Sequence, residues 1–482
     1  MGLRTADEYL AGLRDGREVY FRGKRIPDVT KDPDILTNAT HGSVDFSLQF
    51  DPDHRDLAVV YDEEMGEEIT RLYYIPRNSE DLLKRREVIE YGSRLQNSLV
   101  PFLKDIGGDA LFTLGGVTPQ VDEAFGTNYS ARLEAFRQHA AHKDLALAGS
   151  VTDVKGDRSR RPSAQDDPDL YVHIVERRED GIVVRGAKVH NSAAPVVDEL
   201  VVVPTRAMSE EDADYAVAFA IPVNTPGVKV ICRTERASDP FEYPISSRHF
   251  ILEALTVFED VFVPWDRVFL AGEWQFAGHM ANDFGTWHRF TALSYKTPWA
   301  ELALGTAVLL AQSNGIEKAS HIKRNLVELA IYLENMRAYG RAAALDYVTN
   351  AAGAAVPNPS ATNLGKYYFA NRYHEMNRLI QEIAGGLMVT APAVTDLRNP
   401  DTASLINKYL SGAPGWNGID RMRVMKLAKD LTASEYGGLA QVAAIHAEGS
   451  LEAQRISILR ECNLEELVEY AKKVSGIGQP VE

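Results

Sequence analysis

Helical periodicity dominates the first 148 residues of the chain. The segment SEDLLKRREVIEYGSRLQNSLVPFLKDI has apolar residues near helical spacing and predicts a helix with Ser79 as a possible N-cap. Gly107 and Gly108 are expected to break that pattern. A second amphipathic helix is predicted for ARLEAFRQHAAHKDLAL. Residues 1–148 are therefore interpreted as an N-terminal helical domain.

The pattern changes between residues 149 and 275, where short runs of Val, Ile, Thr and Phe are separated by Pro and Gly. These runs are DELVVVP, YAVAFAIPV, GVKVIC and ALTVFEDVFVP. The segment LYVHIVERREDGIVVRGAKVH has two β-rich arms joined at Asp180-Gly181, which is a strong hairpin turn signal. Together they predict a small antiparallel β-domain with the strand spacing of a barrel or sandwich.

Helical periodicity returns from about residue 276 and continues to residue 482. WAELALGTAVLLAQSNG and IEKASHIKRNLVELAIYLENMRAYGRAAALDYV are long periodic segments. Residues 350–363 predict a helix-breaking loop, and further helices are predicted near 364–383, 415–445 and 450–473. The whole chain thus predicts an α+β fold in which a helical domain, an antiparallel β-domain and a C-terminal helix bundle follow one another.

Composition narrows the classes of function. The chain has 482 residues, of which 45% are hydrophobic and 25% charged, as in an ordinary globular protein. No apolar run approaches the ~20 residues of a membrane span, so no membrane association is expected. The net charge of −16 argues against non-specific nucleic-acid binding. Cys232 and Cys462 indicate neither a disulfide framework nor a cysteine metal site, and they fit a reducing, cytoplasmic location.

The run VTDVKGDRSRRPS at 151–163 is the clearest candidate for a ligand site. It places cationic and anionic side chains around Gly156 directly before the hairpin, which is a plausible cradle for a large anionic ligand. Composition alone also permits a solvated surface loop.

The loop and hairpin resemble the middle domain of the flavoprotein family of 4-hydroxyphenylacetate 3-monooxygenase (large component) and 4-hydroxybutyryl-CoA dehydratase. The resemblance covers nearly the whole chain, through EYLAGLRDGREVYFRGKRIPDVT (8–30), AFAIPVNTPGVKVICR (218–233), YPISSR (243–248), EALTVFEDVFVPWDRVFL (253–270), EIAGGLMVTAP (382–392) and LTASEYGG (431–438). It implies an acyl-CoA dehydrogenase-like fold and a homotetramer.

The resemblance also implies FAD, used as FADH2, between the β-domain and the bundle. The implied cofactor-binding residues are Val151, Thr152, Asp153, Lys155, Gly156, Asp157 and Arg158 in the loop, His190, Asn191 and Ser192 at the end of the hairpin, and Gly385 and Gly386. The same resemblance makes the segment 434–438 a further candidate for cofactor binding. The residues by themselves also fit plainer roles, namely strand-end polarity for His190 and Ser192 and a helix C-cap for the two glycines.

Four further residues are implied as catalytic: His288, Tyr295, Lys296 and Glu253. His288, Lys296 and Glu253 match dehydratase positions, and the histidine ligates a cluster iron there. The dehydratase cluster also needs three cysteines, two near 93–107 and one seven residues after His288, where this chain has Tyr295. No [4Fe–4S] cluster is therefore expected. The plainer interpretations are paired surface charges for Lys296 and Glu253 and a buried, satisfied imidazole for His288.

The arginine, tyrosine and histidine that hold a phenol in the monooxygenases are also missing. Phe102, Ile106 and Gly149 stand near those places and predict an apolar substrate wall. Burial of an unpaired hydroxyl there would cost ~1–3 kcal/mol, so 4-hydroxyphenylacetate is a doubtful substrate.

Two enzymatic functions remain open. The first is a two-component monooxygenase that receives FADH2 from a separate reductase, forms a C4a-hydroperoxide with O2 and hydroxylates a small molecule other than a simple phenol acid. The second is a cluster-free, FAD-dependent acyl-CoA dehydratase or isomerase in which His288 or Glu253 removes an α-proton. A flavin-binding protein without catalysis is a third hypothesis.

Overall fold

The computed structural model describes residues 2–233, 238–249 and 251–478. Its helices are α1 Ala6–Gly12, α2 Pro33–Gly42, α3 Val44–Ser47, α4 Arg55–Ala58, α5 Ser79–Leu95, α6 Asp105–Phe125, α7 Tyr129–His142, α8 Ala277–Asn314, α9 Ser320–Leu345, α10 Pro359–Ala384, α11 Leu387–Thr390, α12 Val394–Arg398, α13 Pro400–Tyr409, α14 Gly418–Thr432, α15 Glu435–His446, α16 Leu451–Glu461 and α17 Leu464–Ser475. Its strands are β1 Val19–Phe21, β2 Lys24–Ile26, β3 Val59–Asp62, β4 Glu67–Thr70, β5 Leu147–Ser150, β6 His173–Arg177, β7 Gly181–Lys188, β8 Glu199–Val202, β9 Val217–Pro222, β10 Val228–Cys232, β11 Ala254–Pro264, β12 Val268–Ala271, β13 Val348–Thr349 and β14 Ala355–Val356. The predicted order of helices, strands and helices is confirmed.

The middle of the chain folds into two packed sheets. One has six strands in the order β2-β1-β10-β11-β7-β6, and the other has four in the order β12-β9-β8-β5. The predicted hairpin is the antiparallel β6–β7 pair, in which Ile174 lies opposite Val184. Two strand pairs, β1–β10 and β5–β8, are parallel, unlike the antiparallel pairing that the sequence predicts, and both contain a strand from the N-terminal part of the chain, β1 or β5. The N-terminal region is thus hydrogen-bonded to the β-domain.

The chain between α5 and α6 differs from the sequence prediction. Asn78, and not Ser79, caps α5, and α5 ends at Leu95. Gly107 and Gly108 do not break a helix but lie in the first turn of α6. A Cβ at Gly107 would lie 2.3 Å from the Cβ of Leu147. Gly107 therefore allows α6 to pack closely against β5, Gly108 allows close approach of the Leu72 backbone, and residues 96–104 form the break instead.

The C-terminal bundle is built on three long helices, α8, α9 and α10. Their shared core contains Trp299, Tyr332 and Phe369, with the Trp299 and Phe369 rings 5.9 Å apart. The predicted loop at 350–363 is shorter than expected, because the Asn358 side chain caps α10 and Pro359 starts it. Within the described ranges, every helix is too short or too polar to cross a membrane.

Candidate functional site

The loop after β5 is anchored to the hairpin by a buried ion pair. Lys188 Nζ on β7 lies 2.5 Å from Asp153 Oδ1 and also donates to the backbone oxygen of Val151 at 2.9 Å. Thr205 donates a further hydrogen bond to Asp153. Asp153 therefore fixes the loop backbone, while Val151 and Thr152 are half-buried beside it.

The outer part of this loop turns on two left-handed residues, Lys155 with φ of 72° and Gly156 with φ of 48°. The Gln165 side chain closes the turn by accepting from the Asp157 N–H and donating to the Asp157 carbonyl, each at 2.9 Å. Any Cβ at Gly156 would lie 2.4 Å from Gln165 Oε1. Lys155 and Arg158 are left exposed at the rim, where they can meet an anion.

The end of the hairpin supplies polar groups beside the loop. Asn191 Nδ2 donates to Thr256 Oγ1 at 2.7 Å, but the buried Asn191 Oδ1 has no hydrogen-bond partner, and the same holds for Ser150 Oγ. Buried polar atoms are rarely left unpaired, so these two fit a bound ligand such as a flavin. Ser192 Oγ donates to Glu253 at 2.9 Å, while burial raises the pKa of Glu253.

His190 connects the hairpin with the C-terminal bundle. Its backbone is left-handed, with φ of 58°. Partial burial lowers its pKa, and the positive charges of Lys155 and His446 lower it further. His446 ends α15, so the loop at 151–158, the hairpin end and the end of α15 meet at one place.

A buried polar cluster lies on α8. Lys296 Nζ is 2.5 Å from Glu448 Oε2 and 3.1 Å from the Tyr295 hydroxyl, and Tyr295 donates to the other Glu448 oxygen. Burial raises the pKa of Tyr295 and lowers that of Lys296. Burial opposes ionisation of Glu448, but Lys296 and Lys366 bring its pKa down to about 2.

Glu448 and Lys366 were missed in the sequence. Glu448 lies in a loop between α15 and α16, with a left-handed φ of 56°. Arg289 donates to its carbonyl at 3.0 Å and to Asn363 Oδ1 at 2.7 Å, which holds the loop against α8 and α10. The only local sequence signal is an acidic residue before Gly449, which is too common to identify a site.

His288 belongs to a second buried network, one helical turn before Thr291. Its Nδ1–H donates to Asp109 Oδ2 at 3.2 Å, and Arg85 and Thr291 each donate to Asp109 Oδ1 at 2.8 Å. The carboxyl of Asp105 lies nearby, and burial raises its pKa to about 7. His288 is thus oriented by a carboxylate, as a proton-handling imidazole would be.

The predicted substrate wall adjoins both the Tyr295–Lys296–Glu448 cluster on α8 and the loop after β5. The Phe102 ring lies edge-on to Tyr295 with 5.6 Å between centroids. A Cβ at Gly149 would lie 2.8 Å from Ile106 Cγ2 and 3.6 Å from Val151 Cγ2. Phe102 therefore contacts the α8 cluster, and Ile106 packs against Gly149 next to Val151 of the loop.

Gly385 and Gly386 lie at the exposed end of α10. Gly385 is the C-cap, and a Cβ at either glycine meets no atom within 4 Å. Ser434 in the segment 434–438 caps α15 by accepting from the Gly437 N–H. A cofactor role for these residues stays a prediction that requires a ligand or second chain to reach this surface.

Sequence profiles of two consecutive domains cover nearly the whole chain. The profile of the 4-hydroxyphenylacetate 3-hydroxylase N-terminal domain matches residues 5–270, and that of the C-terminal domain matches residues 277–476. The chain belongs to the 4-hydroxyphenylacetate 3-hydroxylase family. The resemblance recognised in the sequence is thereby confirmed.

Three relatives show the range of this family and its fold. The 4-hydroxybutyryl-CoA dehydratase/vinylacetyl-CoA-Delta-isomerase of Clostridium aminobutyricum is 34% identical, over 98% of this chain and 100% of its own length. The oxygenase component of 4-hydroxyphenylacetate 3-monooxygenase, solved with FAD, superimposes with a TM-score of 0.90 at 26% identity and covers 98% of each chain. A glutaryl-coenzyme A dehydrogenase matches in fold alone, with a TM-score of 0.53, 14% identity and 94% coverage of each chain. The acyl-CoA dehydrogenase-like fold is confirmed.

The residues present do not fit an iron–sulfur cluster. Tyr295, seven residues after His288, is engaged with Glu448, and Cys232 lies buried at the end of β10. Among the described residues, no group of three or more His, Cys, Asp or Glu side chains is arranged to hold a metal ion.

Proposed function

We propose that the protein is the oxygenase component of a two-component, FAD-dependent monooxygenase. The observation that carries the proposal is the loop at 151–158 beside two buried polar atoms without a partner, Ser150 Oγ in β5 and Asn191 Oδ1 at the hairpin end, next to an apolar wall. The FAD-bound oxygenase relative supports the same assignment. Bound FADH2 would supply the electrons that activate O2.

Each residue of the site would have a role that follows from its position. Lys155 and Arg158, exposed at the rim of the loop, would hold the phosphates of FADH2, and Asn191 would hydrogen-bond to the ring. Phe102 and Ile106 would keep water from the reacting atoms. Tyr295 and Lys296 would orient the substrate through their polar tips, while His288 would hold a proton near it.

The substrate would be an organic molecule other than a simple phenol acid. The side chains at the wall are apolar at Phe102 and Ile106, so a phenolate that entered there would lose its hydration without a partner. A separate flavin reductase would deliver FADH2, as in two-component systems.

The assembly would be a homotetramer with the C-terminal helices at its centre. Apolar side chains are exposed on α9, α16 and α17, namely Val327, Ile331, Ile456, Leu459, Leu467, Val468 and Val474. Such faces are typical of surfaces that another chain covers. Light scattering should give four times the chain mass of 53.4 kDa, and a monomer that still binds flavin would refute the assembly.

A redox-neutral acyl-CoA dehydratase or isomerase is the second candidate. It is favoured by three proton-handling groups, the buried Lys296 and the half-buried His288 and Glu253, and by the 34% identity to the dehydratase/isomerase. Glu253, whose pKa burial raises, would be a suitable base for an α-proton. In this case the flavin would be retained in its oxidised form.

Flavin affinity in both redox states separates the two candidates. Anaerobic titration of the purified protein should give tighter binding of FADH2 than of oxidised FAD if it is an oxygenase component. Tight retention of oxidised FAD through purification would support the redox-neutral enzyme and contradict the first proposal.

A further inference from the structure

Lys366 on α10 lies behind the Lys296–Glu448 pair. Its side chain is fully buried, and its Nζ donates to the carbonyl of Ala444 at 2.8 Å. The same Nζ lies 3.5 Å from Glu448 Oε2, the oxygen that Lys296 contacts at 2.5 Å. Two ammonium groups from different helices therefore share one carboxylate oxygen.

The charges in this cluster do not balance. Lys296 from α8 and Lys366 from α10 face a single carboxylate, Glu448, and the guanidinium of Arg289, which donates to the Glu448 backbone oxygen, adds a third positive charge nearby. A buried charge without a counter-charge is costly, and the usual outcome is that one group releases its proton. Lys366 is the group farther from Glu448 and the more buried of the two lysines, so it is the one that is least compensated.

We propose that Lys366 is a positioning residue of the active site that controls how tightly Glu448 pairs with Lys296 and that releases a proton to solvent as the least compensated cation of the cluster. The inference rests on the proposed function only in treating the α8 cluster as the active site. In its neutral form, Lys366 relieves the repulsion on Lys296, which then stays an ammonium group beside Tyr295. In its charged form, it competes with Lys296 for Glu448.

The pKa of Lys366 and the charges around it support this proposal. Burial lowers the pKa of Lys366 to about 7, Glu448 raises it, and Lys296 and Arg289 lower it. A lysine whose pKa falls on folding binds fewer protons in the folded than in the unfolded chain between about pH 7 and 10. Its contribution to stability therefore grows as the pH rises through that window and is lost as the pH falls through about 7.

Two variants test the proposal without any substrate or flavin. Lys366→Met removes the titrating group, and the difference in Tm between wild type and this variant should shift in favour of the wild type as the pH rises from about 7 to 9. Lys426→Met is the comparison, because Lys426 is similarly buried and lies 2.7 Å from Glu242, while the second lysine at that carboxylate, Lys429, is more distant at 3.9 Å and partly exposed. The shift for Lys366→Met should exceed that for Lys426→Met, and a Tm difference for Lys366→Met that stays constant over this range would overturn the proposal.

Proton counting provides the second measurement. Potentiometric titration from about pH 6 to 8.5 should release about one proton more per chain from the wild type than from Lys366→Arg, which keeps its charge. Equal proton release would overturn the proposal. If the variants do not fold, lysine side-chain NMR of the wild type decides: one lysine should titrate near pH 7, and titration of every lysine above pH 9 would contradict it. None of these results depends on oxygenase or lyase activity, so a failure of the proposed function would be seen separately.

Discussion

Glu448→Gln is expected to destabilise the protein strongly, although Glu448 lies in a loop. The substitution keeps the shape of the side chain but leaves Lys296 and Lys366 without the carboxylate that they share at 2.5 and 3.5 Å. The side chain of Glu448 is only 1% exposed, so water cannot replace it. Removing one partner of a buried ion pair costs roughly 3–5 kcal/mol.

The lowered pKa of Glu448 gives an independent value for this loss of folding free energy. A glutamate pKa that falls from its usual 4.5 to about 2 corresponds to about 3 kcal/mol of folding free energy near neutral pH. Because the folded pKa is the lower one, this stability is fully present above pH 4.5 and is lost as the pH falls toward 2. The difference in the free energy of unfolding between wild type and variant should therefore narrow as the pH falls from about 4.5 toward 2.

Urea unfolding followed by circular dichroism measures this difference. Glu301→Gln is the control, since Glu301 also pairs with two cations, Arg94 and Arg337 at 2.8 Å, but its side chain is 23% exposed. Partly exposed pairs of this kind contribute at most about 1 kcal/mol. Equal losses for the two variants, or a Glu448→Gln difference that does not narrow in acid, would refute the electrostatic reasoning.

Three further outcomes are expected. Arg158→Ala should weaken FADH2 binding by roughly 1.5–3 kcal/mol through the loss of a charge-assisted hydrogen bond, as anaerobic titration would measure; Arg160→Ala, which removes an arginine already paired with Asp157 and Asp166, should change the affinity little, and equal effects would show that the loop is misassigned. Iron and acid-labile sulfide should both be near zero in anaerobically purified protein, and stoichiometric amounts of either would overturn the interpretation of residues 93–107 and Tyr295. Turnover of 4-hydroxyphenylacetate with a partner reductase should be poor and His288→Ala should leave FADH2 binding unchanged, whereas efficient hydroxylation by the wild type would contradict the apolar wall at Phe102 and Ile106.

Local sequence patterns predicted the secondary structure well where an element is determined by its own residues. The β6–β7 hairpin followed from its Asp180-Gly181 turn, and the long helices of the bundle followed from their periodicity. The pattern failed at Gly107 and Gly108, where close packing of α6 on β5 and on the Leu72 backbone, and not helix propensity, determines the residue type. The parallel pairing of β1 with β10 joins residues about two hundred positions apart, which periodicity cannot show.

The candidate site was only partly predictable for the same reason. The resemblance pointed to Tyr295 and Lys296, and the structure adds the partner that determines their chemistry. Glu448 reaches them from a loop more than 150 positions later, and Lys366 approaches from a third element. Their significance depends on burial and on shared contacts, and neither is visible in a single sequence.

The reaction of bound FADH2 with O2 tests the central claim most directly. The protein and FADH2 should be mixed anaerobically and then combined with oxygenated buffer in a stopped-flow spectrometer. An oxygenase should produce a transient species whose absorbance differs from those of reduced and oxidised FAD and which outlasts any seen without protein. Direct conversion of the reduced to the oxidised spectrum, with no such species, would contradict the assignment as an oxygenase.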